Sequence, residues 1–139
     1  MLRPGLAATL ALLATPTLAE RVEVVCAGSS PFLSNTTLCD TRGRFVFQSD
    51  GPEVPFFVTV TAPATHCSDV SYMMFRPGEE ASIGFSDRMA PGASQTVEIG
   101  AGFGPGEAVI EVAAIGHIGG CNTGAIQSWA VDISAAPVP

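Results

Sequence analysis

The stretch Val54–Ala62, with the sequence VPFFVTVTA, decides the fold class of this chain. From Val58 onward apolar and hydroxyl side chains alternate, and Phe56, Val58 and Val60 fall on one side of an extended chain. Successive side chains of a β-strand point to opposite faces, whereas a helix repeats its apolar positions at a longer period. The stretch therefore predicts a β-strand with one buried and one solvated face.

The same alternation recurs in seven further segments, which are separated by turns rich in proline and glycine. The predicted strands are Arg21–Ala27, Arg44–Ser49, Val54–Ala62, Asp69–Arg76, Ala81–Ser86, Ser94–Gly100, Ala108–Gly116 and Ile126–Ser134. Proline fixes φ and glycine supplies positive φ, so clusters such as Arg76-Pro77-Gly78 predict tight turns. Eight short strands with this spacing predict an all-β fold, an immunoglobulin-like two-sheet antiparallel β-sandwich, with an up-and-down barrel as the alternative.

The alternation also assigns an inward face to each strand. The predicted core consists of Val22, Val24, Cys26, Phe45, Phe47, Phe56, Val58, Val60, Val70, Tyr72, Met74, Ile83, Phe85, Val97, Ile99, Ile110, Val112, Trp129, Val131 and Ile133. The run Ala108–Ile115 is apolar on both faces apart from Glu111. Such a run predicts a central strand that is covered on its second face, or a contact surface.

The first nineteen residues have the layout of a secretory signal peptide. A basic start at Arg3 is followed by the apolar stretch Leu6–Leu13 and a small-residue cleavage site at Thr17–Ala19. The apolar stretch is too short to span a membrane. We therefore expect residues 1–19 to be removed and residues 20–139 to form a single periplasmic or secreted domain. The first residue after the cleavage site is Glu20 and not a cysteine, so we expect no lipid anchor.

Charge excludes one class of ligand. The chain has no lysine, and removal of Arg3 leaves five arginines against 13 acidic residues, which changes the formal net charge from −7 to −8. An acidic domain of this kind is a poor partner for phosphate backbones or anionic lipid. We therefore expect no nucleic-acid partner and no attachment to a membrane.

Strand direction predicts where the cysteines lie. If consecutive strands run antiparallel, every second strand ends at the same pole, and this rule brings Cys26, Cys39, Cys67 and Cys121 to one end of the sandwich, called here the cysteine pole. Export favours disulfides, and four cysteines allow three connectivities. Because the loop after the third strand and the loop before the eighth are neighbours at this pole, we expect Cys67–Cys121, which leaves Cys26–Cys39.

The loops of the cysteine pole are the predicted binding surface. A rigid sandwich that presents loops is typical of binding domains, and Gly116–Ala125 is rich in glycine, which indicates unusual backbone geometry or close approach by another chain. The residues that we expect to contact a protein or peptide partner are Phe32, Leu33, His66, Arg88, His117 and Asn122. The hypothesis is thus an exported, non-enzymatic binding or accessory domain.

Metal binding is the alternative hypothesis. The imidazoles of His66 and His117, together with thioethers of Met73, Met74 and Met89, would suit a periplasmic copper carrier. Acidic residues gather at the other end of the sandwich, the acidic pole, and would offer oxygen ligands for calcium; they are Asp50, Glu53, Glu79, Glu80 and Glu107. Since cysteines in disulfides cannot ligate a metal as thiolates, the disulfide prediction argues against a metal cofactor.

Catalytic signatures are lacking in the sequence. Neither a G-x-S-x-G turn nor an H-E-x-x-H helix motif occurs. Either histidine could pair in space with Ser68 or Asp69, but spacing alone gives that pairing no weight. We therefore expect neither enzymatic activity nor a cofactor.

Overall fold

A computed structural model describes residues 19–26, 29–33, 35–51, 55–100, 102–124 and 128–137. The predicted signal peptide, residues 1–19, lies outside these ranges apart from its last residue. The strands are β1 (Glu20–Val25), β2 (Ser29–Pro31), β3 (Thr36–Cys39), β4 (Gly43–Ser49), β5 (Phe56–Thr61), β6 (Val70–Phe75), β7 (Ser82–Phe85), β8 (Ser94–Ile99), β9 (Gly106–His117) and β10 (Ser128–Pro137). Within the described ranges there is no helix.

Two antiparallel sheets make up the sandwich. The first has the strand order β1-β10-β5-β8. In the second, β9 is central: β6 pairs with one of its edges, β7 follows β6, and β3 and β4 share its other edge end to end. The predicted two-sheet antiparallel β-sandwich is therefore confirmed.

The strand order is that of a jelly roll rather than that of an immunoglobulin domain. In the immunoglobulin order the first two strands are neighbours in one sheet, whereas here β1 pairs with the last strand, β10, and β4 lies in the opposite sheet. When β2 and β3 are left out, eight strands remain. Each connection between two of these that follow each other crosses from one sheet to the other, except in the β6–β7 hairpin, as in eight-stranded jelly rolls. Alternation fixes which face of a strand is buried, but it does not choose the neighbouring strand.

The predicted core is confirmed with one exception. Inward side chains from both sheets form a single buried cluster, in which Tyr72, Phe45, Phe56, Met74, Val58 and Trp129 are among the largest members. Phe85, in contrast, is exposed. The register of β7 against β6 shifts beside Phe75, so Phe85 lies opposite Met73 on the outer face while Ile83 packs against the core. Such a bulge interrupts the alternation from which the prediction was made.

The predicted loop Gly28–Gly43 contains two short strands, β2 and β3. They form a hairpin, and β3 pairs with the end of β9 from Thr36↔His117 to Leu38↔Ile115. The hairpin thereby extends the second sheet at the cysteine pole. Sequence alternation is too short in these strands to reveal them.

Candidate functional site

Two disulfides fix the cysteine pole. Cys26, directly after β1, bonds to Cys39 at the end of β3, with a Cα–Cα distance of 5.3 Å. Cys67, in the loop after β5, bonds to Cys121, in the loop after β9, with a Cα–Cα distance of 5.7 Å. Both predicted pairings are confirmed, and the four cysteines do gather at one end of the sandwich. The bonds hold the hairpin β2–β3 and the two long loops to the frame.

His66 is built into the wall of the sandwich. Its Nε2 accepts a hydrogen bond from the backbone N–H of Ala130 at 3.1 Å, and its ring meets Trp129 edge to face at 5.1 Å between centroids. Burial lowers the pKa of His66, with a smaller contribution from the charge of Arg21. The neutral imidazole therefore accepts at Nε2 and carries its proton at Nδ1, which is buried and has no hydrogen-bond partner among the described residues.

His117 lies on the outer face of the second sheet and is hydrogen bonded to a serine. Its Nε2 is 2.9 Å from Oγ of Ser71, and burial, assisted by the charge of Arg88, lowers its pKa. Ser71 is only 3 % exposed, so its hydroxyl is closed to a substrate. Ser68 and Asp69 line the cleft that His117 faces, although the side-chain hydrogen bond of His117 is made to Ser71.

Most of the side chains considered as metal ligands are bonded to each other, buried, or located in different clefts. The cysteine sulfurs are paired, and Met74 and Met89 are buried in the core. His66 and His117 line different clefts. The described part of the chain contains no group of three or more His, Cys, Asp or Glu residues that could hold a metal ion.

Asn122 was predicted to contact a partner, but its side chain forms hydrogen bonds with the protein's own backbone. Its side chain is 2 % exposed. The amide nitrogen donates to the carbonyl of His117 at 3.0 Å, and the amide oxygen accepts from the N–H of Gly124 at 2.9 Å. The loop folds back on itself around this residue, which also forms a bridge with Gly119. Its assignment to a binding surface is therefore wrong.

Two glycines of this loop, Gly116 and Gly120, are required by close packing within the protein. A Cβ atom at Gly116 would lie 2.5 Å from Cζ2 of Trp129, and one at Gly120, where φ is +54°, would lie 2.6 Å from the carbonyl oxygen of Cys67. No real Cβ atom approaches that closely. The second explanation for the glycines, close approach by another chain, is not needed at these two positions.

Apolar side chains concentrate at the cysteine pole. The large hydrophobic residues that the structure leaves exposed are Val25, Phe32, Leu33, Phe85 and Ile118. All of them except Phe85 lie at strand ends or turns of this pole, and Leu33 and Ile118 are 64 % and 41 % exposed. Val25 and Ile118 are not among the predicted binding residues. An isoleucine between His117 and two glycines is a signal that could have revealed Ile118.

The turn that carries Phe32 and Leu33 is firmly held. Thr36 Oγ1 accepts from the N–H of Leu33 at 2.8 Å, and Asn35 adopts the left-handed φ of +64° that this turn requires. The N–H of Ile118 donates to the carbonyl of Asn35 at 2.8 Å, which ties the hairpin to the end of β9. Phe32, Leu33 and Ile118, called here the apolar tip, are therefore presented by one hydrogen-bonded unit.

Arg88 lies at the rim of a separate cleft of about 160 Å³. Its Nε donates to Oδ2 of Asp69 at 2.6 Å, and more than half of its side chain is exposed. Ser68, His117 and Gly120 line the same cleft. Of the predicted binding residues, Phe32 and Leu33 belong to the apolar tip, Arg88 and His117 to this cleft, and His66 to the wall beside Trp129.

The acidic pole contains a shallow cleft of about 500 Å³, which Asp40, Glu79, Glu80 and Glu111 line. Arg42 partly compensates these charges, since its Nη1 is 3.2 Å from Oε1 of Glu111. Asp50 and Glu107 lie elsewhere on this pole, and Glu53 is outside the described residues.

Phe103, the aromatic at the glycine-rich loop of the acidic pole, is buried. Its ring contacts Phe47, and the guanidinium of Arg76 lies 4.4 Å from its centroid. The ring therefore closes the end of the core and is not offered to a partner.

Comparisons with known proteins give only distant structural likeness. No family model and no curated sequence matches the chain. The chain is similar to the K1 cleaved adhesin domain of Lys-gingipain from Porphyromonas gingivalis, at 14 % identity and a TM-score of 0.34 over 87 % of this chain and 75 % of that one. It is also similar to the CENP-C cupin domain of Drosophila melanogaster, at 14 % identity and a TM-score of 0.26 over 86 % and 76 %.

One further finding bears on location. Paired cysteines are typical of proteins in oxidising compartments outside the cytosol, which agrees with an exported protein.

In the part of the chain that the structure describes, no helix is long and apolar enough to cross a membrane.

Proposed function

We propose that this chain is an exported, non-enzymatic binding domain, periplasmic or secreted, whose apolar tip captures a protein or peptide partner. The observation that carries the proposal is the placement of exposed apolar side chains. Among the residues that the structure describes, four of the five large exposed hydrophobic ones lie at the cysteine pole. Single exposed apolar residues are ordinary on a protein surface, whereas their concentration at one end is typical of interaction sites.

Rigidity supports the same function. Two disulfides and the hydrogen bond between Ile118 and Asn35 hold the apolar tip in one arrangement. A surface that is ordered before binding loses less conformational entropy when the partner arrives. Phe32 and Leu33 can then act as anchors of the kind that dominate binding energy at interfaces.

Selection from a displayed library of random peptides tests the proposal. The oxidised protein serves as bait, and the peptides that it enriches are measured against three variants, Leu33→Ser, Ile118→Ser and Phe85→Ser. Leu33 and Ile118 belong to the apolar tip, while Phe85 is a matched exposed hydrophobic residue on β7. We expect either substitution in the tip to weaken binding by about tenfold or more, as for an interface anchor, and Phe85→Ser to have little effect.

Two outcomes of the peptide selection would contradict the proposed binding function. If the enriched peptides bind the two tip variants as tightly as the wild type, or if no peptide is enriched over an empty control, the apolar tip is not a binding surface. Loss of binding in Phe85→Ser alone would assign the surface to the outer face of the second sheet.

A further inference from the structure

The two disulfides of the cysteine pole differ in their exposure to solvent. Cys26 and Cys39 are 5 % and 4 % exposed and belong to the hydrophobic core. Cys67 and Cys121 are both exposed. A disulfide exchanges when a thiolate attacks one of its sulfurs, and the rate of this attack depends on access to the sulfur. The folded protein therefore presents one disulfide to thiols in solution and shields the other.

The surroundings of the exposed disulfide leave room for a small reagent. Cys67 lines the cleft of about 160 Å³ that also contains Gly119 and Gly120. These two glycines directly precede Cys121 and bring no side chain that could cover it. A Cβ atom at Gly119 would meet nothing within 4 Å, so the space on this side of the loop is open. The open space suits a thiol of low molecular weight.

The two disulfides hold different parts of the apolar tip. Phe32 and Leu33 lie between β2 and β3, and the buried Cys26–Cys39 bond fastens the end of β3 to the end of β1. Ile118 lies three residues before Cys121, which the exposed bond fastens to the loop after β5. A reagent that opens only the exposed disulfide would therefore act on the part of the tip that carries Ile118.

Few other bonds hold this part of the tip. Within the described ranges, residues 118–124 make one hydrogen bond to the rest of the sandwich beyond β9, from the N–H of Ile118 to the carbonyl of Asn35 at 2.8 Å. The hydrogen bonds of Asn122 run to His117 and to residues of the loop itself. The Cys67–Cys121 bond is thus the strongest tie between this loop and the frame.

We propose that Cys67–Cys121 is a thiol-exchange site, which a small thiol opens in the folded protein to release the part of the apolar tip that carries Ile118. The thiolate of the reagent bonds to one cysteine sulfur, and the other sulfur leaves as a thiolate that takes up a proton from water. A second thiolate then attacks the reagent's sulfur in the mixed disulfide, so the second cysteine is freed and protonated in turn. Two thiols are oxidised to one disulfide while the protein gains two thiols.

An effect of this exchange on partner binding rests on the proposed function, whereas the exchange itself does not. Loop length governs how much each disulfide stabilises the fold. Exposure governs how fast a thiol reaches the bond while the protein stays folded. The proposal therefore concerns rates of reaction in the native state.

Timed reaction of the native, oxidised protein with β-mercaptoethanol tests the exchange site. Samples are quenched with iodoacetamide, and peptide mapping by mass spectrometry measures how fast each cysteine is labelled or joined to the reagent. We expect the initial rate at Cys67 and Cys121 to exceed that at Cys26 and Cys39 by on the order of tenfold or more. The same reaction in urea is the control, since unfolding removes the difference in exposure. Equal initial rates in the native protein would overturn the proposal.

Hydrogen exchange tests the release of the tip. After selective opening, the amide of Ile118 should exchange on the order of tenfold faster or more than in the oxidised protein. The double variant Cys67→Ser with Cys121→Ser should show the same change, and the selectively reduced wild type gives the result if this variant does not fold. Unchanged exchange at Ile118 would overturn the release.

Peptide binding connects the site with the proposed function. Peptides that require Leu33 and Ile118 should bind the opened protein roughly two- to tenfold more weakly, because the tip must then be ordered on binding. Equal affinity for both forms would overturn control of the tip by this disulfide. If the exposed disulfide reacts selectively but no peptide is enriched by the oxidised protein, the exchange site stands and the proposed binding function does not.

Discussion

The backbone N–H of Ala130 donates to Nε2 of His66, and this bond ties the loop before Cys67 to strand β10. It exists only while the imidazole is neutral at Nε2. A second proton on the ring would lie at Nε2, and this N–H would then face the N–H of Ala130. The position of this histidine therefore makes the fold sensitive to acid.

Stability is expected to fall on mild acidification. Burial holds the pKa of His66 below its ordinary value of 6.5, so the unfolded chain takes up the proton first. The contribution of neutral His66 to the free energy of unfolding should be complete above pH 6.5. This contribution should decline as the pH falls from 6.5 toward the lower pKa of His66 in the folded protein. Urea unfolding at several pH values measures this decline.

The variant His66→Gln identifies the source of the decline. Because glutamine does not titrate, its free energy of unfolding should depend less on pH in this window than that of the wild type. His117, whose pKa is also lowered, should account for the remainder. Identical pH dependence in His66→Gln and wild type would mean that the bond to Ala130 does not govern acid sensitivity.

Trp129 is expected to be a major contributor to stability. Its indole is buried between the sheets, where it contacts His66 and the backbone of Gly116. Trp129→Ala should lower the free energy of unfolding by about 3–5 kcal/mol, as for other large core truncations. Trp129→Phe should cost less, and the native emission of the wild type should be blue-shifted. Equal melting temperatures for wild type and Trp129→Ala would contradict the placement of the ring.

Gly116→Ala should destabilise the protein through crowding. The added methyl group would meet Trp129 at 2.5 Å, and a well-packed core responds to such an insertion with a loss of about 1–3 kcal/mol. Gly104→Ala provides the control, since nothing lies within 4 Å of a Cβ atom there. Urea denaturation of both variants makes the comparison. Equal stability of the two would show that β9 and β10 can separate to admit a side chain.

The two disulfides should differ in their effect on stability. Cys67 and Cys121 are separated by 54 residues, and Cys26 and Cys39 by 13. On the chain-entropy model, replacing the first pair by alanine should cost about 4 kcal/mol and replacing the second about 3 kcal/mol. Thiol counting on the unfolded, unreduced wild type should give zero. A larger loss from the shorter loop would mean that contacts at the β2–β3 hairpin, rather than loop length, set the difference.

The β-sandwich and the disulfide pairing could be predicted because both follow from local rules. Alternation at Phe56, Val58 and Val60 assigns a buried face without reference to any other strand. Antiparallel succession then places strand ends at two poles, which gathers the four cysteines at one of them. The expectation that the loop after β5 and the loop after β9 are neighbours at that pole then pairs Cys67 with Cys121.

The candidate site was predicted only in part. Phe32, Leu33 and Arg88 are exposed as expected, since polar and glycine-rich loops lie at the surface. Asn122 is buried because its own loop closes around its amide, and Ile118 is exposed because Asn35 fixes the backbone beside it. Neither arrangement leaves a periodic signal in the sequence.

By itself the sequence determined eight of the ten strands, all but one of the assigned inward side chains and the end at which the cysteines meet, because side-chain alternation and chain direction act over a few residues. Only the tertiary structure decided the jelly-roll order, the exposure of Phe85 and the cleft at Ser68. Each of these depends on which strands and loops become neighbours across the core, and that choice is made by packing between segments far apart in the chain.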